Sequence, residues 1–120
     1  MVESRRMSDC LFCRIVAGQI PARKIHDDAL CIGFLDINPQ APQHALFIPR
    51  RHIATMNDAT PEDRELLGHL QIAAAKYARE QGISDTGYRL VTNTNPAAGQ
   101  TVFHIHLHLL GGRQLTWPPG

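Results

Sequence analysis

The sequence predicts an α+β domain: an antiparallel sheet of four or five strands with one long helix on a face. Three observations predict it. Short apolar or alternating runs bounded by turn residues recur along the chain, in "ARKIHDDALCIGFLD", "HALFIP", "YRLVTN" and "VFHIHLHLL". A single long stretch, "TPEDRELLGHLQIAAAKYAREQG", carries a sustained helical period. The strands come as hairpins around that one helix, an order that suits an antiparallel sheet.

The elements follow in order. "SDCLFCRIVAG" reads as a short N-terminal helix, with Ser8 or Asp9 as its cap and Gly18 at its end. "ARKIHDDALCIGFLD" reads as a hairpin turning at Asp27-Asp28, with the apolar "LCIGFL" as a buried strand. "INPQAPQ" holds two prolines and must be loop, and "HALFIP" is a strand stopped by Pro49. In the long helix Thr60 suits the N-cap and Pro61 the first turn, while Glu62 and Asp63 complement the dipole. Leu66, Leu67, Leu70, Ala73, Ala74 and Tyr77 recur at helical spacing, and Gly82 closes the helix. "YRLVTN" and "VFHIHLHLL" are strands separated by "TNPAAGQ".

With 120 residues and 13.3 kDa the chain is one domain, read as 9–120, preceded by a disordered extension over 1–8. A net charge of +1 supplies no field to recruit nucleic acid or a membrane, and Arg5-Arg6 and Arg50-Arg51 read as solvated pairs. No apolar run approaches the roughly 20 residues of a membrane span. "MVESRRMSDC" lacks the apolar stretch of a secretory signal. Three cysteines, two of them in "CLFC", argue against a disulfide scaffold and for a reducing compartment, by default the cytoplasm.

In "VFHIHLHLL" side-chain alternation puts Val102, His104, His106 and His108 on one face and Phe103, Ile105, Leu107 and Leu109 on the other. Same-face neighbours on a strand are about 6.6 to 6.8 Å apart, so the rings can share a site. A lone strand histidine would read as a satisfied core or surface residue; three in strict alternation read as a functional site. Grouped imidazoles can bind a catalytic metal, or one can be a nucleophile that the others orient and supply with protons. "PAAGQT" places the Gly99 turn and the Thr101 hydroxyl just ahead, a plausible phosphate cradle that favours chemistry at phosphorus. Such chemistry needs a neutral and a protonated imidazole together near pH 7.

"CLFC" has the spacing of half a zinc site, with buried cysteines as the bland alternative; spacing alone does not choose the histidines that would complete it. Cys31 reads as core, and His26 and His69 as structural.

"HIHLHLL" is the His-x-His-x-His-x-x pattern of the histidine triad (HIT) superfamily. Together with "CLFCRIVAGQIPA", "FLDINPQAPQHALFIPRRHI", "LLGHLQIAA", "GYRLVTN" and "AGQTVFHIHLHLLGGRQLTWPPG" the chain resembles the Hint branch, the histidine triad nucleotide-binding proteins, from about Cys10 onward. The resemblance implies a HIT-like fold whose five-stranded sheet continues across a homodimer. It implies hydrolysis of adenosine or guanosine monophosphoramidates. His106 would be the nucleophile and His108 a donor to the phosphoryl oxygen or leaving group, with His104 and His44 completing the cluster. Asp36, with Ile37 beside it, would hold the ribose hydroxyls; Phe12, Ile15, Phe34 and Leu46 would line the base pocket. Asn93, Gly99 and Thr101 would lie at the phosphate, and Trp117 would approach the partner subunit's site. The family usually has serine at Thr101, so the hydroxyl is kept on a stiffer side chain. A structural zinc would be held by Cys10, Cys13, His52 and His104, with no metal needed for the chemistry. A non-catalytic nucleotide-binding adaptor and a dinucleoside polyphosphate hydrolase are the alternatives; the "WPPG" ending makes the latter a weaker match.

Overall fold

Among the described residues two α-helices and five strands follow the order α1 (Leu11–Val16), β1 (Lys24–Asp27), β2 (Cys31–Leu35), β3 (Gln43–Pro49), α2 (Arg64–Glu80), β4 (Tyr88–Thr92) and β5 (Leu107–Gly111). The structure is a computed structural model and describes residues 9–120. The extension expected over 1–8, the Arg5-Arg6 pair and Ser8 as a cap lie outside the described residues. The strands form one sheet in the order β1-β2-β3-β5-β4, every neighbouring pair antiparallel. This is the α+β architecture that the hairpin runs predict.

Alternation along β2, β3 and β5 gives the sheet two buried faces. Cys31, Ala45, Phe47, Leu107 and Leu109 pack with Leu66, Leu70, Ala73, Ala74, Tyr77 and Ala78 of α2. Ile32, Phe34, Leu46 and Ile48 pack with Cys10, Phe12 and Ile15 of the α1 segment. A six-residue helix is too short to be stable alone, so α1 depends on that second core.

Helix ends differ from the sequence reading in informative ways. The cap of α1 is Cys10 rather than Asp9: its Sγ accepts the Cys13 N–H at 3.3 Å. Before α2, Pro61–Asp63 form a 3₁₀ turn, so the α-helix begins at Arg64. Thr60 donates its backbone N–H to Asp63 Oδ2 at 2.8 Å, and its hydroxyl donates to Glu62. At the other end Gly82 sits at φ +75°. There the Gly82 and Ile83 N–H groups reach back to the Arg79 and Ala78 carbonyls at 3.1 and 3.0 Å, a Schellman closure. Arg50 and Arg51 are not simply solvated. Arg50 pairs with Asp27 and donates Nε–H to the Asp28 carbonyl at 2.8 Å, and Arg51 pairs with Asp63.

The largest departure concerns the histidine run. Only Leu107–Gly111 is strand; residues 102–106 leave the sheet. The cause is a competing partner: the Ile105 N–H donates to the Ile53 carbonyl at 2.8 Å, in the loop that follows β3. Burial no longer alternates there: every residue from Phe103 to Leu107 is buried, His104 and His106 included, with Val102 and His108 half-buried on either side. Among the described residues no helix is long and apolar enough to cross a membrane.

Candidate active site and metal centre

Because 102–106 peel away from the ladder, the three histidines of the run acquire three environments. His108 stays in β5, opposite Leu46 of β3 and Val91 of β4. His106 lies beyond the last sheet pairing and packs edge-on against Phe12 of α1, with ring centroids 5.1 Å apart. His104 is fully buried, with a ring centroid 6.0 Å from that of Phe12. His44, on β3, comes beside His108 as expected.

The backbone settles which nitrogens carry protons. His106 Nδ1 is 2.8 Å from the His104 carbonyl oxygen, which only accepts, so Nδ1 is the N–H and Nε2 keeps its lone pair. Gln40 donates its backbone N–H to His44 Nδ1 at 3.0 Å, which makes His44 Nε2 the N–H. That proton faces His108 Nδ1 at 2.9 Å, so the remaining hydrogen of His108 is on Nε2. Asp36 Oδ2, 3.4 Å from His44 Nε2, is a second and longer acceptor. The result is one ring with a free nitrogen beside another with a free N–H, their centroids 5.1 Å apart.

Burial holds His106 and His44 below the ordinary imidazole value, against the pull of the Asp36 carboxylate. His108 is pushed down to about 4, first by burial and then by repulsion from His106 and His44. The expected pairing of a neutral with a protonated ring near pH 7 is therefore not what the cluster itself favours; in it every ring is neutral. The reason is that one partly exposed carboxylate cannot outweigh the desolvation of adjacent imidazoles.

His106 and His108 open onto a cleft of about 400 Å³. Phe12, Ile15, Phe34, Leu46, Asp36, Ile37 and Thr101 line it as well, so most of the expected nucleotide contacts share one cavity. Ile37 is fully exposed at its rim. Asp36 Oδ1 accepts the Asn38 N–H at 2.8 Å, which fixes the carboxylate at the mouth. Asn93, at the end of β4, Gly99, at φ +94°, and Trp117, 82% exposed on the C-terminal tail, do not line the cleft. One positioning residue escaped the sequence reading. Gln100 is buried and donates Nε2–H to the Ala54 and Val102 carbonyls at 2.8 and 3.1 Å, while Oε1 accepts the Asn95 N–H. It clamps the turn that presents Thr101; a polar residue in a loop gave no signal of that burial.

Behind the cleft, Cys10, Cys13, His52 and His104 converge, as the resemblance implies, with all four donor atoms within 4.8 Å of one another. His104 Nε2–H donates to the Pro49 carbonyl at 2.7 Å, which aims Nδ1 at the sulfurs. Nδ1 of His104 is 3.3 Å from Cys10 Sγ, 3.5 Å from Cys13 Sγ and 3.3 Å from His52 Nδ1. A tetrahedral ion with bonds of about 2.3 Å to sulfur and 2.05 Å to nitrogen would separate its donors by about 3.3 to 3.5 Å between N and N or N and S. The residues fit such an ion. By itself the Cys13 thiol is a poor acid, pushed up to about 12 by burial and by Cys10. A cation is what would draw the protons off.

A second convergence was missed altogether. His26, Asp28, Cys31 and His69, from β1, its turn, β2 and α2, also bring their donor atoms within 4.8 Å. No spacing announces it, because the fold brings residues 41 positions apart onto one carboxylate oxygen.

Fold and site together define a class: a small antiparallel α+β domain whose sheet ends in a histidine cluster at the mouth of a cleft. The HIT domain model matches residues 17–115. A HIT family hydrolase from Legionella pneumophila Philadelphia 1 superposes with a TM-score of 0.91 at 57% identity, covering 92% of this chain and 99% of that one. A histidine triad nucleotide-binding protein from Candida albicans gives 0.77 at 30% identity, over 91% and 82%. A Zn-bound histidine triad family protein from Mycobacterium smegmatis gives 0.77 at 37%, over 90% and 78%. The chain belongs to the HIT family.

The neutral cluster sets a pH dependence of stability. His108 has its folded pKa pushed below its unfolded value of about 6.5, and His44 is displaced the same way. Between the folded and unfolded values the unfolded chain binds more protons, so stability falls as pH falls from about 6.5 toward 4. Urea unfolding should show a lower midpoint at pH 5 than at pH 7, with a smaller drop in His108→Gln. An equal drop in both proteins would contradict the assignment of His108.

Proposed function

We propose that the chain is a nucleotide hydrolase of the Hint branch. Its substrates are purine nucleoside 5′-monophosphoramidates, cleaved at the P–N bond through a nucleotidyl-histidine intermediate. The observation that carries this reading is the 2.8 Å bond from His106 Nδ1–H to the His104 carbonyl, which leaves Nε2 as a directed lone pair on the cleft. The names of the Legionella hydrolase and the Candida nucleotide-binding protein support the same class.

In this reading the base enters between Phe12, Ile15, Phe34 and Leu46, and the ribose hydroxyls meet Asp36 beside Ile37. The phosphorus then lies at His106, with the Thr101 hydroxyl on the phosphate side. The anionic phosphate counteracts the depression of His108 and lets its Nδ1 take a proton from solvent, as the His44 Nε2–H turns from that nitrogen to Asp36 Oδ2, its second acceptor. His106 Nε2 attacks phosphorus as the P–N bond breaks; the departing nitrogen keeps the bonding pair and receives the proton of His108. The new imidazolium on His106 is stabilised through Nδ1–H at the His104 carbonyl. Water then attacks phosphorus, the P–Nε2 electrons return to His106, and His108 takes the water proton.

His106→Ala should lower turnover of an adenosine phosphoramidate by at least ~10⁴-fold while nucleoside monophosphate affinity stays within a few-fold. Undiminished turnover would remove His106 as nucleophile. Absence of turnover by the unaltered chain, with monophosphate still bound, would leave a binding protein.

Zinc is the ion we assign to Cys10, Cys13, His52 and His104; the Zn-bound Mycobacterium relative supports it. Four protein ligands leave no open position, so its role is to pin α1 to the loop carrying His104. Metal analysis after chelator-free purification should find one zinc equivalent fewer in Cys13→Ser than in the unaltered chain, and equal contents would end the assignment.

The chain is further proposed to dimerise through β4, extending the sheet and bringing Trp117 to the partner's cleft. β1, the other edge, is charged at Lys24 and Asp27 and loses register between Lys24 and His26, features that discourage pairing. β4 pairs regularly with β5 along its length and offers Leu90 and Val91 among its residues. Light scattering should give twice the 13.3 kDa chain mass; a single chain mass would exclude this assembly.

A further inference from the structure

We propose a second metal site, on the α2 side of the sheet, in which His26, His69 and Asp28 hold a divalent transition metal with Cys31 as the fourth donor. His26 Nε2 and His69 Nε2 both lie 2.6 Å from one atom, Asp28 Oδ2. The other oxygen of that carboxylate is occupied, since Oδ1 accepts the Leu30 and Cys31 N–H groups at 2.8 and 2.9 Å. The turn therefore fixes Asp28, and Oδ2 is left pointing at two imidazoles.

As a purely structural clamp the arrangement is crowded. Two ring N–H groups converge on one oxygen at short distance, and both histidines must adopt the Nε2–H tautomer. A divalent cation resolves the crowding by replacing those two converging protons. Each ring then carries its hydrogen on Nδ1 and turns the Nε2 lone pair to the ion. His26 and His69 are half-buried, so an ion can reach them from solvent. Cys31 is buried beneath, its Sγ 3.7 Å from Asp28 Oδ2. That spacing suits two donors of one tetrahedral ion, which would lie about 3.5 Å apart. The N···O pairs need to open by about 0.7 to 0.8 Å to reach the same geometry.

Charge around the site permits the ion. Hydrogen bonds from both rings and the two amides outweigh burial and keep Asp28 ionised well below the usual carboxylate range. The Arg50 guanidinium nearby is paired with Asp27, which offsets its repulsion. The Cys31 thiol, pushed up to about 12 by burial and by Asp28, loses its proton only as the metal arrives. A mixed N, O and S donor set in a tetrahedral arrangement favours zinc or cobalt(II) over magnesium or calcium.

The test is a titration of chelator-stripped full-length protein with Zn²⁺ alone against a chromogenic chelator, repeated with Co²⁺ followed by visible absorption. His26→Phe removes one ligand while leaving an aromatic ring against Phe47, 6.1 Å away in the native pairing. It should bind one equivalent fewer than the unaltered chain, and Cys13→Ser should lose a different equivalent. Because the readout is the difference at His26, it holds whether or not the Cys10–Cys13 cluster takes zinc. Should His26→Phe fail to fold, His69→Gln serves in its place. Equal stoichiometry in the unaltered chain and in His26→Phe, or in His69→Gln where that variant replaces it, would overturn the proposal whatever Cys13→Ser shows.

Discussion

His104 is held at three points, and the site depends on all of them. Its Nε2–H is tied to the Pro49 carbonyl, where β3 ends. Its Nδ1 faces the two sulfurs of the α1 segment and His52. Its own carbonyl accepts the His106 Nδ1–H. One residue thus joins the sheet, the cysteine cluster and the ring with the free nitrogen. The cysteine cluster and His106 are thereby joined through one short backbone segment.

A second chain of constraints runs through the opposite side of the cleft. The Gln40 amide fixes His44, and His44 fixes His108, so a single backbone N–H decides where the His108 proton points. Gln40 sits in the proline-containing loop after β2. That loop therefore has two roles: Asp36 at its start faces the cleft, and its later backbone orients the histidine pair. The rings meet as neutral donors and acceptors.

Much of the fold was legible because its signals are local. The helical period of Leu66, Leu70, Ala73, Ala74 and Tyr77, the Gly82 stop and the Asp27-Asp28 turn each depend on a few neighbouring residues. The cleft residues were legible only through resemblance, since Phe12, Phe34 and Leu46 are equally good core residues and are indeed buried. What stayed hidden was set by distant partners. Cys10 caps α1 because the helix is docked by its sulfurs; Gln100 is buried because Ala54 and Val102 offer it carbonyls. The meeting of His26 and His69 on Asp28 is created by packing α2 onto the sheet.

The histidine run shows how one periodicity can serve two structures. Alternation was read as a strand, and in β5 it is one. Upstream of Leu107 the pattern leaves the sheet: the backbone bends at 102–104, and every residue from Phe103 to Leu107 is buried. Leaving the sheet is what gives each ring its own environment. Had residues 102–106 continued the ladder, His104 and His106 would project beside His108 on one regular face about 6.7 Å apart. Instead Ile105 bonds to Ile53, His104 turns toward Pro49 and the cysteines, and His106 faces the cleft. The break in the ladder converts a row of equivalent imidazoles into an anchored ring, a ring with a free nitrogen and a ring with a free N–H.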